Sequence, residues 1–258
     1  MHNLPQFTEA FSLHNKLAVI TGGGTGLGAA MAACMVAAGA RVVITGRRLE
    51  VLEQSAARLG SNVVAEQHDV THADGAEELM TRIASRHGVP TILVNNAGNH
   101  VKKTIEDHSI SDFRSVLETH VEGSFSMTRA AAPLMRKQGG GSVLFITSMS
   151  ALLGIPNVVA YSAAKAAYVG MVRALSSELG PDNVRVNGIA PGWIETPMLA
   201  QALNNDPERR QKILSRTPQR RFGKPEDIGW AAVYLCSPAA GFINGSVVVV
   251  DGGASIGF

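Results

Sequence analysis

The chain has 258 residues, of which 45% are hydrophobic and 17% charged, and Lys+Arg minus Asp+Glu is 23 − 21 = +2. So small a charge argues against nucleic acid or an anionic membrane as partner, and the balance is that of one globular α/β unit. Two cysteines, Cys34 and Cys236, show no ligand spacing, no stretch reaches the length of a membrane span, and the first fifteen residues lack a secretory pattern. The expectations are therefore buried free thiols, no metal site, no disulfide framework and a cytoplasmic location.

After a tail over residues 1–14, short apolar runs alternate with helix-like stretches. LAVIT (17–21) reads as a first buried strand and leads directly into Thr21-Gly22-Gly23-Gly24-Thr25-Gly26-Leu27-Gly28. Glycines permit positive φ and close backbone approach. The helix that follows, with Leu27, Met31, Cys34, Met35 and Ala38 at helical spacing, would present free N–H groups to a phosphate. Gly22, Gly26 and Gly28, with Thr25 and Leu27 between them, give GxxxGxG rather than GxGxxG. A glycine turn alone is equally a tight turn. The strand before it and the helix after it make dinucleotide binding the better reading.

RVVIT (41–45) is the second strand and ends in Thr45-Gly46-Arg47-Arg48. An NAD site needs a carboxylate near this point to hold the ribose 2′-hydroxyl. None stands here, whereas the Arg47 guanidinium, with Arg48 beside it, suits a 2′-phosphate. NADP(H) is expected over NAD(H). The alternative is that both arginines merely cap the strand in solvent.

NVVAEQ (62–67), TILVN (91–95), SVLFIT (142–147), VRVNGI (184–189) and SVVVV (246–250) continue the series of strands. Segments 49–59, 73–87, 111–137, 157–179 and 225–236 are predicted helices, with Pro133 expected to kink or tighten the 111–137 helix. Near-continuous hydrophobicity fits strands covered on both faces, and the alternation implies βαβ units. The fold class is α/β, a doubly wound parallel sheet of about seven strands with helices on both faces. The chain reads as a single domain over 1–258, with 193–216 as an inserted substrate loop.

Tyr161 and Lys165 stand in YSAAK, and Ser148 precedes the tyrosine by thirteen residues. A lysine at i+4 on a helix shares the tyrosine's face, and its charge is expected to pull the phenol pKa down from its usual value near 10. With a hydroxyl to hold a carbonyl oxygen, that pair is a proton-transfer device. Taken alone, YxxxK is more often a surface pair.

TGGGTGLG, NNAG (95–98), Ser148, YSAAK and PGWIETPM, in this order, resemble the short-chain dehydrogenase/reductase family from about residue 13 to the closing VVVVDGG. The resemblance implies a Rossmann-like fold, usually a homotetramer, that transfers hydride between a nicotinamide and an alcohol or carbonyl carbon. It implies that Gly22, Gly26 and Gly28 carry the pyrophosphate turn and that Asp69, followed by Val70, meets the adenine. Asn95 matches the structural asparagine of NNAG, with Ala97 and Gly98 near the adenosine ribose. Lys165 would hold the nicotinamide ribose, Pro191 and Gly192 would turn the chain past the nicotinamide, and Ile194 and Thr196 would orient its carboxamide. In one respect the sequence departs from the family. His120 stands where many members have an asparagine that shapes a helix irregularity and supports a water chain. Histidine titrates near neutrality and is bulkier, so it is either a fourth catalytic residue or a satisfied helix histidine.

Met149, Leu152, Leu153, Ile155, Val158, Trp193, Met198 and Leu199 are the expected pocket wall. Asn99, His100, Lys102, Ser150, Asn157 and Glu195 would stand near the mouth, where Lys102 and Lys103 would meet a substrate carboxylate. The TGRR, PGWIETPM and RTPQRRFGKPEDI segments are similar to gluconate 5-dehydrogenase-like members. A 3-oxoacyl-carrier-protein reductase is the alternative, and a noncatalytic dinucleotide sensor is the alternative of another class.

Overall fold

The computed structural model describes residues 6–203 and 206–257, with the backbone alone at 198, 201 and 202. In chain order the elements are α1 (Phe7–Ala10), β1 (Leu17–Thr21), α2 (Gly26–Ala37), β2 (Arg41–Gly46), α3 (Leu49–Leu59), β3 (Val63–Gln67), α4 (Ala76–His87) and β4 (Ile92–Asn95). There follow α5 (Ile110–Leu117), a π turn (Glu118–Glu122), α6 (Gly123–Lys137), β5 (Gly141–Ile146), α7 (Val159–Leu179) and β6 (Val184–Pro191). The chain ends with α8 (Pro197–Leu203), α9 (Pro207–Arg216), α10 (Pro225–Cys236) and β7 (Val247–Val250).

All seven strands run parallel in the order β3-β2-β1-β4-β5-β6-β7. The order reverses between β1 and β4, and such a switch point opens a crevice beyond the carboxyl ends of the strands. The apolar runs are continuous because both faces are covered. Ala18 and Ile20 of β1 pack with Met31, Met35 and Ile228 on one side, while Leu17 and Val19 pack with Met80, Ile83 and Met127 on the other. Side chains alternate across a strand, so two buried faces demand an unbroken apolar sequence.

Two sequence expectations change. The helix over 111–137 is not one helix: the π turn divides it into α5 and α6 at His120, whereas Pro133 sits inside an unbroken α6. The 1–14 segment is a tail only in part. Leu13 is fully buried and its amide donates to the Ala38 carbonyl at 2.8 Å, while residues 1–5 lie outside the described residues. Cys34 and Cys236 are buried free thiols whose pKa values burial raises to about 11. Among the described residues no helix is long and apolar enough to cross a membrane.

Candidate active site

At the switch point lies a cleft of about 640 Å³, reaching from the glycine turn after β1 to α8 and α9. Gly22 (φ +65°) and Gly26 (φ +53°) adopt the left-handed conformation that glycine takes without a steric penalty. Gly22, Thr25, Gly26 and Leu27 line the cleft, but Gly28 lies beneath it. A Cβ on Gly28 would collide with the Gly22 carbonyl oxygen, so that glycine lets α2 start tight against the turn. Thr25 is the N-cap of α2 and its side chain makes no capping hydrogen bond. The first N–H groups of the helix are therefore left for a ligand's oxygens.

The residue that braces this turn is one the motif reading passed over. Asn96 Nδ2 donates to the carbonyls of Thr21 (2.8 Å) and Gly22 (3.2 Å), and Thr21 Oγ1 accepts from the amides of Asn96 and Ala97 at 3.0 Å. Asn95, placed with the cofactor residues from sequence, instead turns away into the core. It is 1% exposed, and its Nδ2 donates to Thr128 Oγ1 on α6 at 3.0 Å. Successive strand residues point to opposite faces, which is why only one of the two asparagines serves the turn. The doubled NN at the end of a strand adjacent to β1 was the available signal.

Arg47 and Arg48 line the outer end of the cleft, both exposed, with Asp69 and Val70 opposite. Burial works against the Asp69 carboxylate, but hydrogen bonds from Thr71 and the Arg47 charge outweigh it and hold its pKa below the usual carboxylate range. Ala97, Gly98, Pro191, Gly192, Ile194 and Thr196 line the inner reach. These groups fit a dinucleotide: a glycine turn with open N–H groups for the pyrophosphate and guanidinium groups where a 2′-phosphate would fall.

Ser148, Tyr161 and Lys165 meet at the floor. Ser148 caps a 3₁₀ turn, with Oγ accepting from the Ser150 amide at 3.1 Å, while Tyr161 lies in the first turn of α7. The Lys165 Nζ, 3% exposed, donates to the Ile146 carbonyl at 2.6 Å and lies 5.4 Å over the Tyr161 ring centroid. Helical spacing does bring the two residues together, but the expected acidification of the phenol does not follow. Burial raises the Tyr161 pKa, opposed by its hydrogen bond with Ser148, and burial lowers the Lys165 pKa to about 7. Burial disfavours both charged forms.

His120 is 1% exposed in the π turn. Its Nε2 lies 2.7 Å from the Asn99 carbonyl oxygen and donates to it in the Nε2–H tautomer. Its ring meets Tyr161 edge-on with centroids 5.5 Å apart, and it fills the space where a Cβ on Gly98 would stand. Titration near neutrality was expected from the residue type. Burial, with the Lys165 charge second, lowers its pKa to about 3 and keeps it neutral.

Toward the mouth, Met149, Ile155, Val158, Trp193 and Leu199 line the cleft as expected. Leu152 and Leu153 do not; they are 51% and 37% exposed outside it, and the Met198 side chain lies outside the described residues. Asn99, His100, Lys102 and Ser150 line it, whereas Asn157 and Glu195 do not. Lys103 is tied to Asp112 by a 2.7 Å ion pair, which removes it as the carboxylate partner expected from sequence.

A family model described as enoyl-(acyl carrier protein) reductase matches residues 22–255. The 7alpha-hydroxysteroid dehydrogenase of Escherichia coli (strain K12) is 40% identical over 249 residues, 95% of this chain and 96% of that protein. The 3-oxoacyl-[acyl-carrier-protein] reductase of Thermotoga maritima is 34% identical, covering 95% of this chain and 99% of that one. The crystal structure of a gluconate 5-dehydrogenase from Burkholderia cenocepacia J2315, in complex with NADP and tartrate, superposes with a TM-score of 0.93 at 30% identity, covering 97% of this chain and 99% of that chain.

Proposed function

The chain belongs to the short-chain dehydrogenase/reductase family, and we propose that it is an NADP(H)-dependent oxidoreductase interconverting a secondary alcohol and a ketone, with a sugar acid as substrate. One observation carries this reading: Ser148, Tyr161 and Lys165 share the floor of the cleft whose outer end bears Arg47 and Arg48 with no carboxylate at the end of β2.

When bound, the nicotinamide supplies or takes up the hydride. In reduction, Ser148 Oγ would donate to the substrate carbonyl oxygen and hold the carbonyl in place for the hydride that the bound nicotinamide would supply. Tyr161, held as the neutral phenol by burial, gives its proton to that oxygen as negative charge develops there. Lys165 stabilises the resulting phenolate through its charge. In oxidation the same proton returns to Tyr161. His120 acts on this step as a neutral group that holds the Asn99 backbone and the edge of Tyr161. Gly22 and Gly26, with the N-terminus of α2, would hold the pyrophosphate, and Arg47 the 2′-phosphate.

The sugar-acid reading is supported by the exposed Lys102 and His100 at the mouth, and by the tartrate held in the Burkholderia enzyme. A second reading, 3-oxoacyl-carrier-protein reductase, is favoured by the apolar wall of Ile155, Val158, Trp193 and Leu199 and by the Thermotoga relative. Residues 193–216 act as the substrate loop of a single domain, because Trp193, Leu199 and Arg209 of this segment line the cleft. A cytoplasmic homotetramer completes the proposal, with Phe125 of α6, 51% exposed, as part of its contact surface. The deciding experiment follows nicotinamide absorbance with NADPH and NADH against 5-ketogluconate, an acetoacetyl thioester and a 7-oxo bile acid. Turnover of 5-ketogluconate with NADPH supports the first reading. Turnover confined to the thioester replaces it by the second, and NADPH binding without any turnover leaves a sensor.

A further inference from the structure

The Tyr161–Lys165 pair rests on a side chain that the mechanism above does not use. Tyr168 lies three residues beyond Lys165 on α7 and is 1% exposed. Its ring packs 5.2 Å from that of Phe145 on β5 and meets the His120 ring edge-on at 6.0 Å. Its hydroxyl donates to the His120 main-chain carbonyl at 3.0 Å. A π turn disturbs the regular hydrogen-bond ladder, which leaves such a carbonyl open to side-chain donors. The Ser124 hydroxyl donates to the same oxygen. A buried polar chain continues from there, with Thr128 Oγ1 donating to the Ser124 carbonyl at 2.7 Å and Asn95 Nδ2 to Thr128 Oγ1 at 3.0 Å.

Directly over the Tyr168 ring lies the ammonium of Lys165, 4.7 Å from the centroid, closer than the 5.4 Å to Tyr161. An ammonium carries three donor hydrogens, and the Ile146 carbonyl takes one of them. The negative faces of aromatic rings are a second source of stabilisation for a buried cation. The groups that face the ammonium are Tyr161 and Tyr168 on α7, His120 on the π turn and the main-chain carbonyl of Ile146 on β5. None of them carries a negative charge in its neutral form; among the described residues, two ring faces and one carbonyl contact the cation.

We propose that Tyr168 is a positioning residue for the proton-transfer pair: its ring face seats the Lys165 ammonium beneath Tyr161, and its hydroxyl ties that seat to the π turn that carries His120. The role assigned to the pair rests on the oxidoreductase reading, but the seat itself can be measured without substrate or coenzyme. Full-length protein labelled with ¹³C at lysine Cε is titrated by NMR, with Lys165→Met assigning the signal. Tyr168→Phe keeps the ring and leaves the Lys165 midpoint unmoved. Tyr168→Met removes the ring at similar volume and lowers that midpoint by about one pH unit, the size of a desolvated cation–π contact. In turnover, Tyr168→Phe lowers kcat by about 3- to 10-fold at unchanged KM, as expected for one lost hydrogen bond to the π turn. Tyr168→Met also moves the alkaline limb of ketone reduction to lower pH by the same unit, because the ammonium is lost earlier.

An unmoved Lys165 midpoint in Tyr168→Met overturns the proposal. Wild-type kcat in Tyr168→Phe overturns it as well, and that variant decides the matter alone if Tyr168→Met does not fold. If the wild type turns over no ketone, the oxidoreductase reading fails by itself, while the titration still reports on the seat.

Discussion

The floor and the mouth of the cleft are built on opposite electrostatic terms. At the floor, Lys165, Tyr168 and His120 are at most 3% exposed, and burial outweighs every neighbouring charge. Tyr161 keeps its proton, His120 stays neutral, and the single cation is held by ring faces and a carbonyl. At the mouth, Arg47, Arg48 and Lys102 stand exposed, where water carries most of the cost of their charge. A charge at the floor must be generated by the reaction, while a charge at the mouth waits for an anionic ligand. Chemistry and recognition are thereby separated: the floor sets what proton moves, the mouth which molecule brings the carbonyl.

Substitutions break this contrast to different degrees. The largest effect is expected at the floor, where Tyr161→Phe removes the proton donor and lowers kcat by about 100- to 10,000-fold. NADPH affinity, measured by quenching of protein fluorescence, stays near that of the wild type. A variant with near wild-type turnover would exclude Tyr161 from proton transfer. Next comes the outer end, where Arg47→Ala removes a charge-assisted contact worth about 1.5–3 kcal/mol. Affinity for NADPH should fall by about 10- to 150-fold while NADH binding hardly changes. An equal loss for both coenzymes would show that Arg47 does not read the 2′-phosphate.

A smaller effect tests the neutrality of His120. Its pKa is lowered on folding from the usual 6.5 to about 3, so below pH 6.5 the unfolded chain takes up a proton that the folded chain refuses. The resulting loss of stability grows as pH falls from 6.5 toward 3 and reaches about 2 kcal/mol at pH 5. His68 and His100, also lowered chiefly by burial, act in the same direction in wild type and variant alike. His120→Asn should therefore show a shallower decline between pH 8 and pH 5 in urea denaturation, and identical declines would rule out a buried neutral His120. The smallest effect sharpens the mouth. Lys102→Met should raise KM for an anionic ketone by about 2- to 5-fold, in the range of an exposed ion pair. Lys103→Met should leave KM alone, because Asp112 already holds that lysine.

Much of this molecule was legible in its residues. Two-faced apolar strands announce a covered parallel sheet, and seven of them pair in parallel as read. The glycine turn, Ser148, Tyr161 and Lys165 could be placed because their chemistry depends on local spacing: a strand into a helix, and i to i+4 on one face. The errors came where local spacing is silent. Asn95 and Asn96 are neighbours in sequence, and only the pairing of β4 beside β1 decides which of them reaches the glycine turn. Lys102 and Lys103 differ only in that α5 brings Asp112 to one of them.

The sequence alone determined which groups can move a proton and which can bind a phosphate, since those are properties of residue type and short-range geometry. It could not determine the charge those groups carry. The tertiary structure decided that by drawing α7, β5 and the π turn around Lys165 and His120, because removing water from an ionisable group shifts its equilibrium by more than any sequence neighbour does.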